Sequence, residues 1–167
     1  MGETEAIEQS VRAVLDRLGA AYEVIPCDPA FADTAAFCEK YGVAPSESAN
    51  TILVASRKEP KVYAACLALA TTKLDVNHKV SELLGVRKLS FASPEETVAV
   101  TGMMIGGVTP FGLSEELPFY VDSRIATLPR VVIGGGSRSS KLRVSGEVFT
   151  RMPNARIVEG LAVDRQP

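Results

Sequence analysis

Apolar residues recur along the chain at two spacings, which predict an alternation of helices and strands. In residues 5–18, apolar positions three or four residues apart form one face of a helix: Ile7, Val11, Val14, Leu15 and Leu18. Gly19 follows that face directly and is a typical helix terminator. The first predicted element is therefore an amphipathic helix that packs one side against a core.

Two apolar segments rich in strand-forming residues predict neighbouring buried strands in the middle of the chain. They are "TILVAS" and "VYAACLAL", and the polar "RKEPK" between them is short enough for a hairpin loop. The two strands are therefore expected to pair antiparallel. The shorter "YEVIPC" alternates between polar and apolar residues and predicts a further strand.

Capping residues mark two more helices. Asp33 and Thr34 precede "AAFCEKYG", which predicts a short helix that ends at Gly42. Ser93 and Pro94 open "SPEETVAVTG" as the cap and the first helical residue. Between these helices, "VNHKVSELLGV" has apolar residues on a helical face, and "RKLSF" indicates a short strand.

The remainder of the chain predicts three strands, at "PFYVD", "RVVIGGG" and "KLRVS". A short helix from Gly146 and a final strand near "ARIVE" follow. No repeat, linker or low-complexity segment divides the sequence, so residues 1–167 are expected to form one domain. Because helices and strands are interspersed, the strands are expected to form one mixed sheet together with the helices of the same domain.

Composition narrows the class of protein. A hydrophobic fraction of 46% and a net charge of −2 over 167 residues fit a soluble globular protein without a basic field for nucleic acid. The longest apolar runs are too short to span a bilayer. Cys27, Cys38 and Cys66 lack CxxC spacing, so free thiols and a cytoplasmic location are expected. No residues have metal-ligand spacing, and neither a metal nor a cofactor is expected.

A glycine pair lies inside the apolar run "TGMMIGGVTPFGL", residues 101–113. Glycine is favoured where the backbone needs a positive φ or where another group must approach it closely. The adjacent N–H groups of Gly106 and Gly107 are therefore candidates to donate to a carbonyl oxygen or an anion, as an oxyanion hole requires. The alternative is that the pair closes a tight turn.

Three other polar features have both a chemical and a structural interpretation. Asp122 ends the strand in "YVDS", where it either orients a substrate amine or caps the following turn. The segment "GGGSRSSK" lies between two predicted strands and lacks the GxxxxGK[ST] pattern of a phosphate-binding loop. His78 lies at a predicted helix start, where an exposed capping-turn residue is expected rather than a catalytic base.

Taken in order, three motifs resemble the YbaK/ProX family, the free-standing relatives of the editing domain inserted in bacterial prolyl-tRNA synthetases. They are "TGMMIGGVTPFGL", "LPFYVDSRI" and "VVIGGGSRSSKLRVS", with further support from "DTAAFCEKYGV" and "ANTILV". The resemblance covers nearly the whole chain. It implies an α+β fold with a curved mixed, largely antiparallel sheet flanked by helices. It also implies hydrolysis of wrongly charged aminoacyl-tRNA without a metal.

The resemblance also implies where the substrate lies. The ester carbonyl is expected near the N–H groups of Gly106 and Gly107, with Asn50 and Asp122 as the other catalytic candidates. The amino acid is expected to enter a small pocket. The candidate substrate-binding residues are Cys27, Thr34, Lys73, Pro110, Gly135 and Ser137.

One residue departs from the family pattern. Editing members have a lysine at the start of the strand, in a pattern like "AKTLV", whereas this chain has "SANTILV" with Asn50 at that position. An amide offers dipoles but no charge, so Asn50 cannot replace an ammonium. Lys73 is the first candidate to restore the charge, and Arg138 and Lys141 are further candidates.

Two functions from different classes therefore stay open. The first is a trans-editing hydrolase that removes a mischarged amino acid from tRNA. The second is a non-catalytic module of the same fold that binds aminoacyl-tRNA, an amino-acid-like ligand or a synthetase. Contact with the tRNA is expected to be weak and at its 3′ end, through a synthetase or a local cationic patch: Lys73, Lys79, Arg87, Lys88, Arg138 and Lys141.

Overall fold

A computed structural model of the protein describes residues 2–165. The α-helices are α1 (Glu3–Arg17), α2 (Thr34–Tyr41), α3 (Ser81–Leu84), α4 (Pro94–Thr101) and α5 (Ser123–Ala126). The strands are β1 (Tyr22–Pro26), β2 (Ala49–Ser56), β3 (Tyr63–Leu69), β4 (Thr72–Leu74), β5 (Leu89–Phe91), β6 (Phe119–Asp122), β7 (Val131–Gly134), β8 (Ser140–Val144), β9 (Ala155–Val158) and β10 (Ala162–Asp164). A π-helical turn, Val76–Val80, precedes α3, and short 3-10 turns complete the order: Pro29–Phe31, Pro45–Glu47 and Gly146–Arg151.

The predicted caps set the ends of the helices that lie next to the site. Ser93 and Glu96 form a reciprocal capping box at the start of α4, with both hydrogen bonds 3.1 Å long. α2 ends at Gly42, which has a left-handed φ of 67°. Both helices therefore form where the sequence predicts them, and the long N-terminal helix is confirmed as α1.

The predicted fold class is confirmed, but the strands form three sheets rather than one. A five-stranded sheet has the order β5-β2-β3-β6-β9, a three-stranded sheet has β1-β8-β7, and β10 pairs with β4. The pairing is largely antiparallel, including the predicted β2–β3 hairpin, while β3–β6 and β6–β9 are parallel. Among residues 2–165, one isolated parallel bridge, between Ser48 and Val132, joins the two larger sheets.

The main hydrophobic core lies between the two larger sheets and α1. Leu15 of α1, Leu67 of β3 and Ile133 of β7 are all buried in it. Phe111 belongs to the same core, where its ring lies 5.8 Å from that of Phe149 in a stacked arrangement. The glycine-containing run is therefore anchored in the core by its own apolar residues, and its backbone is held at one edge of the two sheets.

Candidate functional site

A cavity of about 290 Å³ opens at the edge where the two larger sheets meet. The start of α2, the first half of β2, the β5–α4 connection and the ends of β7 and β8 line it, together with part of the glycine-containing run. Among its lining residues are Thr34, Asn50, Gly106 and Lys141. The structure therefore brings three of the predicted site residues, Thr34, Asn50 and Gly106, to one cavity. Lys141 of β8, a candidate to restore the missing charge, lines the same cavity.

Two glycine-rich segments form one wall by direct contact between their backbones. We call residues 101–113 the first glycine segment and residues 134–141 the second. A Cβ added to Gly107 would lie 2.1 Å from the carbonyl oxygen of Ser137, and one on Gly134 would lie 2.4 Å from that of Val108. The N–H of Gly136 donates to the carbonyl oxygen of Gly107 at 2.6 Å. These glycines are needed because no side chain fits between the segments.

The peptide group between Ile105 and Gly106 is fixed at only one of its polar ends. The Arg138 guanidinium donates to the carbonyl oxygen of Ile105 at 3.0 Å and also to the carbonyl oxygen of Pro29. The N–H of Gly106 makes no hydrogen bond within residues 2–165. Because a cation on the carbonyl end polarises the peptide, this N–H is a strengthened donor that is available to a ligand.

In the next peptide group, between Gly106 and Gly107, both polar atoms have hydrogen-bond partners, and this corrects part of the predicted oxyanion hole. The N–H of Gly107 donates to the carbonyl oxygen of Met104 at 2.9 Å, and Gly107 does not line the cavity. The carbonyl oxygen of Gly106 accepts from the Lys141 ammonium at 2.7 Å. The expectation of two adjacent free donors was wrong for Gly107, because the loop closes a turn on itself there. Of the two glycines, only Gly106 has an N–H without a hydrogen-bond partner among residues 2–165.

The opposite side of the cavity is polar. The hydroxyl of Thr34, at the first turn of α2, donates to the side-chain oxygen of Asn50 on β2. The hydroxyl of Thr51 is buried and has no hydrogen-bond partner among the described residues, and Thr51 also lines the cavity. These groups offer a ligand hydrogen-bond donors and acceptors without a charge.

Lys141 supplies the charge that the polar wall lacks. Its side chain is buried, and its ammonium nitrogen lies 5.6 Å from the centroid of the Phe37 ring. Burial lowers the pKa of this ammonium, because the charged form loses its hydration. Lys141 is the last residue of the second glycine segment, but its burial depends on Phe37 of α2 lying beside it, which no local pattern indicates.

Lys73 and Asp122 lie outside the cavity, which corrects their predicted positions. Lys73 is exposed on β4, where it pairs in register with Val163. Asp122 is 1% exposed, caps α5 through the N–H of Arg124 and forms a 3.2 Å ion pair with the guanidinium of that residue. Its carboxylate therefore joins structural elements rather than facing a substrate amine.

The other predicted binding residues support the cavity wall from behind. The Ser137 hydroxyl donates to the Glu8 carboxylate at 2.6 Å, which ties α1 to the second glycine segment. A Cβ on Gly135 would lie 2.6 Å from the Ser140 hydroxyl oxygen. Pro110 is buried beside Phe111, and Cys27 is buried in a small cluster with its thiol pKa raised by burial. None of these lines the cavity.

Two further observations concern the described residues as a whole. Within residues 2–165, no three His, Cys, Asp or Glu side chains are grouped closely enough to hold a metal ion. No helix in the same range has both the length and the apolar character that a membrane crossing requires.

The His78 side chain is 92% exposed and lies 3.6 Å from the Asp75 carboxylate, as expected for a residue at a helix start.

Comparison with known proteins identifies a family. A family model described as "Aminoacyl-tRNA editing domain" matches residues 28–152. The chain is 28% identical over 149 residues to "Uncharacterized protein YwhH" of Bacillus subtilis (strain 168), which spans 89% of this chain and 92% of that protein. It is 21% identical over 121 residues to "Putative Cys-tRNA(Pro)/Cys-tRNA(Cys) deacylase EbsC" of Enterococcus faecalis (strain ATCC 700802 / V583), spanning 72% of each. The resemblance to editing domains is confirmed.

Solved structures share the fold. One is described as "a putative trans-editing enzyme for prolyl tRNA synthetase" and matches with a TM-score of 0.77 at 22% identity, over 95% of this chain and 97% of that one. Another, described as "hypothetical protein APE2540", has a TM-score of 0.79 at 23% identity, over 92% of this chain and 99% of that one. At these identities the matches show a shared fold, so the chemistry has to be inferred from the residues of the site.

The contact between the two glycine segments predicts a large stability difference between two alanine substitutions. Gly107→Ala should lower the free energy of unfolding by about 3 kcal/mol or more, because its Cβ meets backbone that cannot move alone. Gly160→Ala is the control: Gly160 has a φ of 75° but open space around its Cβ position, so about 1 kcal/mol is expected. Urea denaturation measures both. Equal losses would show that the segments are not in tight contact.

Proposed function

Because the chain belongs to the aminoacyl-tRNA editing domain family, we propose that it is a trans-editing hydrolase that cleaves the ester bond of mischarged aminoacyl-tRNA. Residues 1–167 act in this proposal as one domain of the editing type. Water, positioned with help from the terminal ribose hydroxyl, attacks the ester carbonyl and releases the amino acid and the tRNA. No metal or cofactor takes part in the proposed reaction.

The free N–H of Gly106 is the observation that carries this proposal. Gly106 lies on the cavity wall, its N–H makes no hydrogen bond within residues 2–165, and the carbonyl oxygen of the same peptide group is held by Arg138. A backbone donor fixed in advance at the position of a developing oxyanion is worth about 3–4 kcal/mol in well-studied enzymes. The donor needs no reorganisation during the reaction, because the packed glycine segments hold it in place.

The cavity also sets the proposed selection of the amino acid. Its volume of about 290 Å³ suits a small acyl group, which would lie against the polar wall formed by Thr34 and Asn50. Shape alone discriminates modestly, because one methylene group is worth about 1–3 kcal/mol. Discrimination in this site therefore depends on the hydrogen bonds of the polar wall as well as on volume.

The proposed partner is the 3′ end of aminoacyl-tRNA in the cytoplasm, bound weakly. Lys73, Arg87 and Lys88 are exposed and remain available for phosphate contacts. Lys141 was predicted to belong to the cationic surface patch, but it is only 6% exposed and cannot contact phosphates at the surface. The structural neighbour named for prolyl tRNA synthetase supports the idea that a synthetase delivers the tRNA.

One observation favours a second candidate function. Asn50 stands where the family pattern "AKTLV" has a lysine, and it supplies no charge. The alternative is therefore a binding module that keeps the cavity and holds an aminoacyl-tRNA, an amino-acid-like ligand or a synthetase without cleaving an ester. The two functions differ in turnover, which an assay detects directly.

A panel of tRNAs charged with radiolabelled non-cognate amino acids separates the two functions. The purified chain is expected to release the label from at least one mischarged tRNA and to leave the correctly charged tRNA intact. If every pair stays charged while the chain binds them, the binding module is correct and the hydrolase is not.

The polar wall predicts a measurable effect of one substitution on that reaction. Asn50→Ala should lower the deacylation rate about 5- to 10-fold, because it removes the hydrogen bond with Thr34 and one group that contacts the acyl chain. Asn77→Ala is the matched control, since Asn77 is exposed and lies outside the cavity. An unchanged rate in Asn50→Ala would show that the substrate does not touch this wall.

Salt dependence tests the proposed tRNA contact. At subsaturating tRNA, raising the salt from 50 to 200 mM should lower the deacylation rate only a few-fold, because few phosphates contact a chain of net charge −2. Adding the substitutions Arg87→Gln and Lys88→Gln together should flatten this dependence. If the double substitution leaves the salt dependence unchanged, the surface around Arg87 and Lys88 does not contact the tRNA phosphates.

A further inference from the structure

Lys141 is a buried cation on the cavity wall, and it has no counter-ion among residues 2–165. The residue is 6% exposed, whereas the neighbouring Arg138 side chain is 33% exposed and pairs with Asp33 at 3.3 Å. Within the described part of the chain, no carboxylate lies within ion-pair distance of the Lys141 ammonium. Its neighbours at contact distance are the carbonyl oxygen of Gly106 and the ring of Phe37.

This arrangement is unfavourable for the folded protein. An ammonium that is removed from water and left without a carboxylate loses most of its hydration energy, and one hydrogen bond to a carbonyl restores only part of it. An ammonium also has three N–H donors, and only the bond to Gly106 is made within residues 2–165. Charged groups kept at a cost in stability, with donors left over, concentrate at functional sites.

We propose that Lys141 is a catalytic residue whose ammonium donates a hydrogen bond to the carbonyl oxygen of the ester as negative charge develops on it. This inference rests on the proposed hydrolase function. The ammonium already bonds the carbonyl oxygen of Gly106, the residue whose N–H is free, so both donors belong to one short stretch of the cavity wall. Because Lys141 lies inside the cavity rather than on its rim, it faces the ester rather than the phosphates.

The step balances without a further reactant. Water adds to the carbonyl carbon, and the electron pair of the C=O bond moves to the oxygen held by Lys141 and Gly106. When this pair returns, the bond from the carbonyl carbon to the ribose oxygen breaks. The proton released by the water passes to the ribose oxygen, which leaves as a hydroxyl. The lysine ammonium keeps its own protons throughout.

Lys141→Met separates this role from a structural one. Methionine keeps an unbranched apolar stem of similar size but removes the charge and its donors. The variant should be more stable than the wild type to heat, because a desolvated charge is removed, while kcat for deacylation should fall about 100-fold with little change in KM. Lys58→Met is the matched control: Lys58 is exposed in the β2–β3 loop, and both properties should stay unchanged.

The outcomes distinguish a failure of this inference from a failure of the proposed function. If the wild type deacylates and the folded Lys141→Met variant retains kcat within threefold, Lys141 is not catalytic although the function stands. A loss confined to KM would assign Lys141 to ground-state binding and would also overturn the inference. If the wild type releases no amino acid from any tRNA in the panel, the proposed function fails, and the role of Lys141 fails with it.

The pH dependence gives a second readout that a structural role would not move. The reaction needs the ammonium form. Burial lowers the pKa of Lys141, and the Arg138 charge lowers it further, whereas the Asp33 carboxylate and the thiolate forms of Cys27 and Cys38 raise it. Activity is therefore present below this lowered pKa and is lost as the pH rises through it. The ratio of wild-type to Lys141→Met rates, which cancels titration of the substrate, should fall toward one at alkaline pH. A constant ratio would contradict the proposal.

Discussion

The contact between the two glycine segments is the constraint on which the site depends. Gly107 and Gly134 let the backbones approach so closely that a Cβ on either would overlap a carbonyl oxygen. Phe111 anchors the first segment in the main core, and Ser137 ties the second to α1. The site is therefore held by backbone packing, and its donor groups keep their positions without any ligand.

That contact also explains the electrostatics of the cavity. The second glycine segment contains Arg138 and Lys141, which donate hydrogen bonds to the carbonyl oxygens of Ile105 and Gly106, respectively. Two cations thus fix two successive peptide groups of the first segment, and the Gly106 N–H between them has no partner within residues 2–165. Because Lys141 is buried and has no carboxylate partner in the described part of the chain, its charge lowers the stability of the fold, and in the proposed reaction it lies where a substrate oxygen would be.

Much of the fold could be predicted from local patterns, because local chemistry determines those elements. The capping box at Ser93 and the apolar face of α1 each depend on residues close together in the sequence, and α4 and α1 both form as expected. No strand is predicted at β4 or β10, because each spans only three residues and forms by pairing with the other, which is a contact between distant parts of the chain. The division into three sheets depends on where Ser48 meets Val132, a contact between distant residues.

The candidate site was predictable only in part, for the same reason. Spacing and resemblance pointed to the glycine pair and to Asn50, but which peptide N–H stays free depends on the turn that Gly107 closes with Met104. The burial of Lys141 depends on Phe37 of α2 lying beside its ammonium, and the exposure of Lys73 depends on the pairing of β4 with β10. Charge alone does not distinguish these lysines; their depth in the fold does.

Amide NMR of the ¹⁵N-labelled protein tests the central claim most directly. The ligand is a 3′-aminoacylamino-3′-deoxyadenosine, an amide analogue that keeps the carbonyl oxygen of the ester but is not hydrolysed. Because a free donor gains a new acceptor, the amide proton of Gly106 should move strongly downfield on binding, while that of Gly107 should barely shift. A saturated complex in which the Gly106 proton is unmoved would contradict the account.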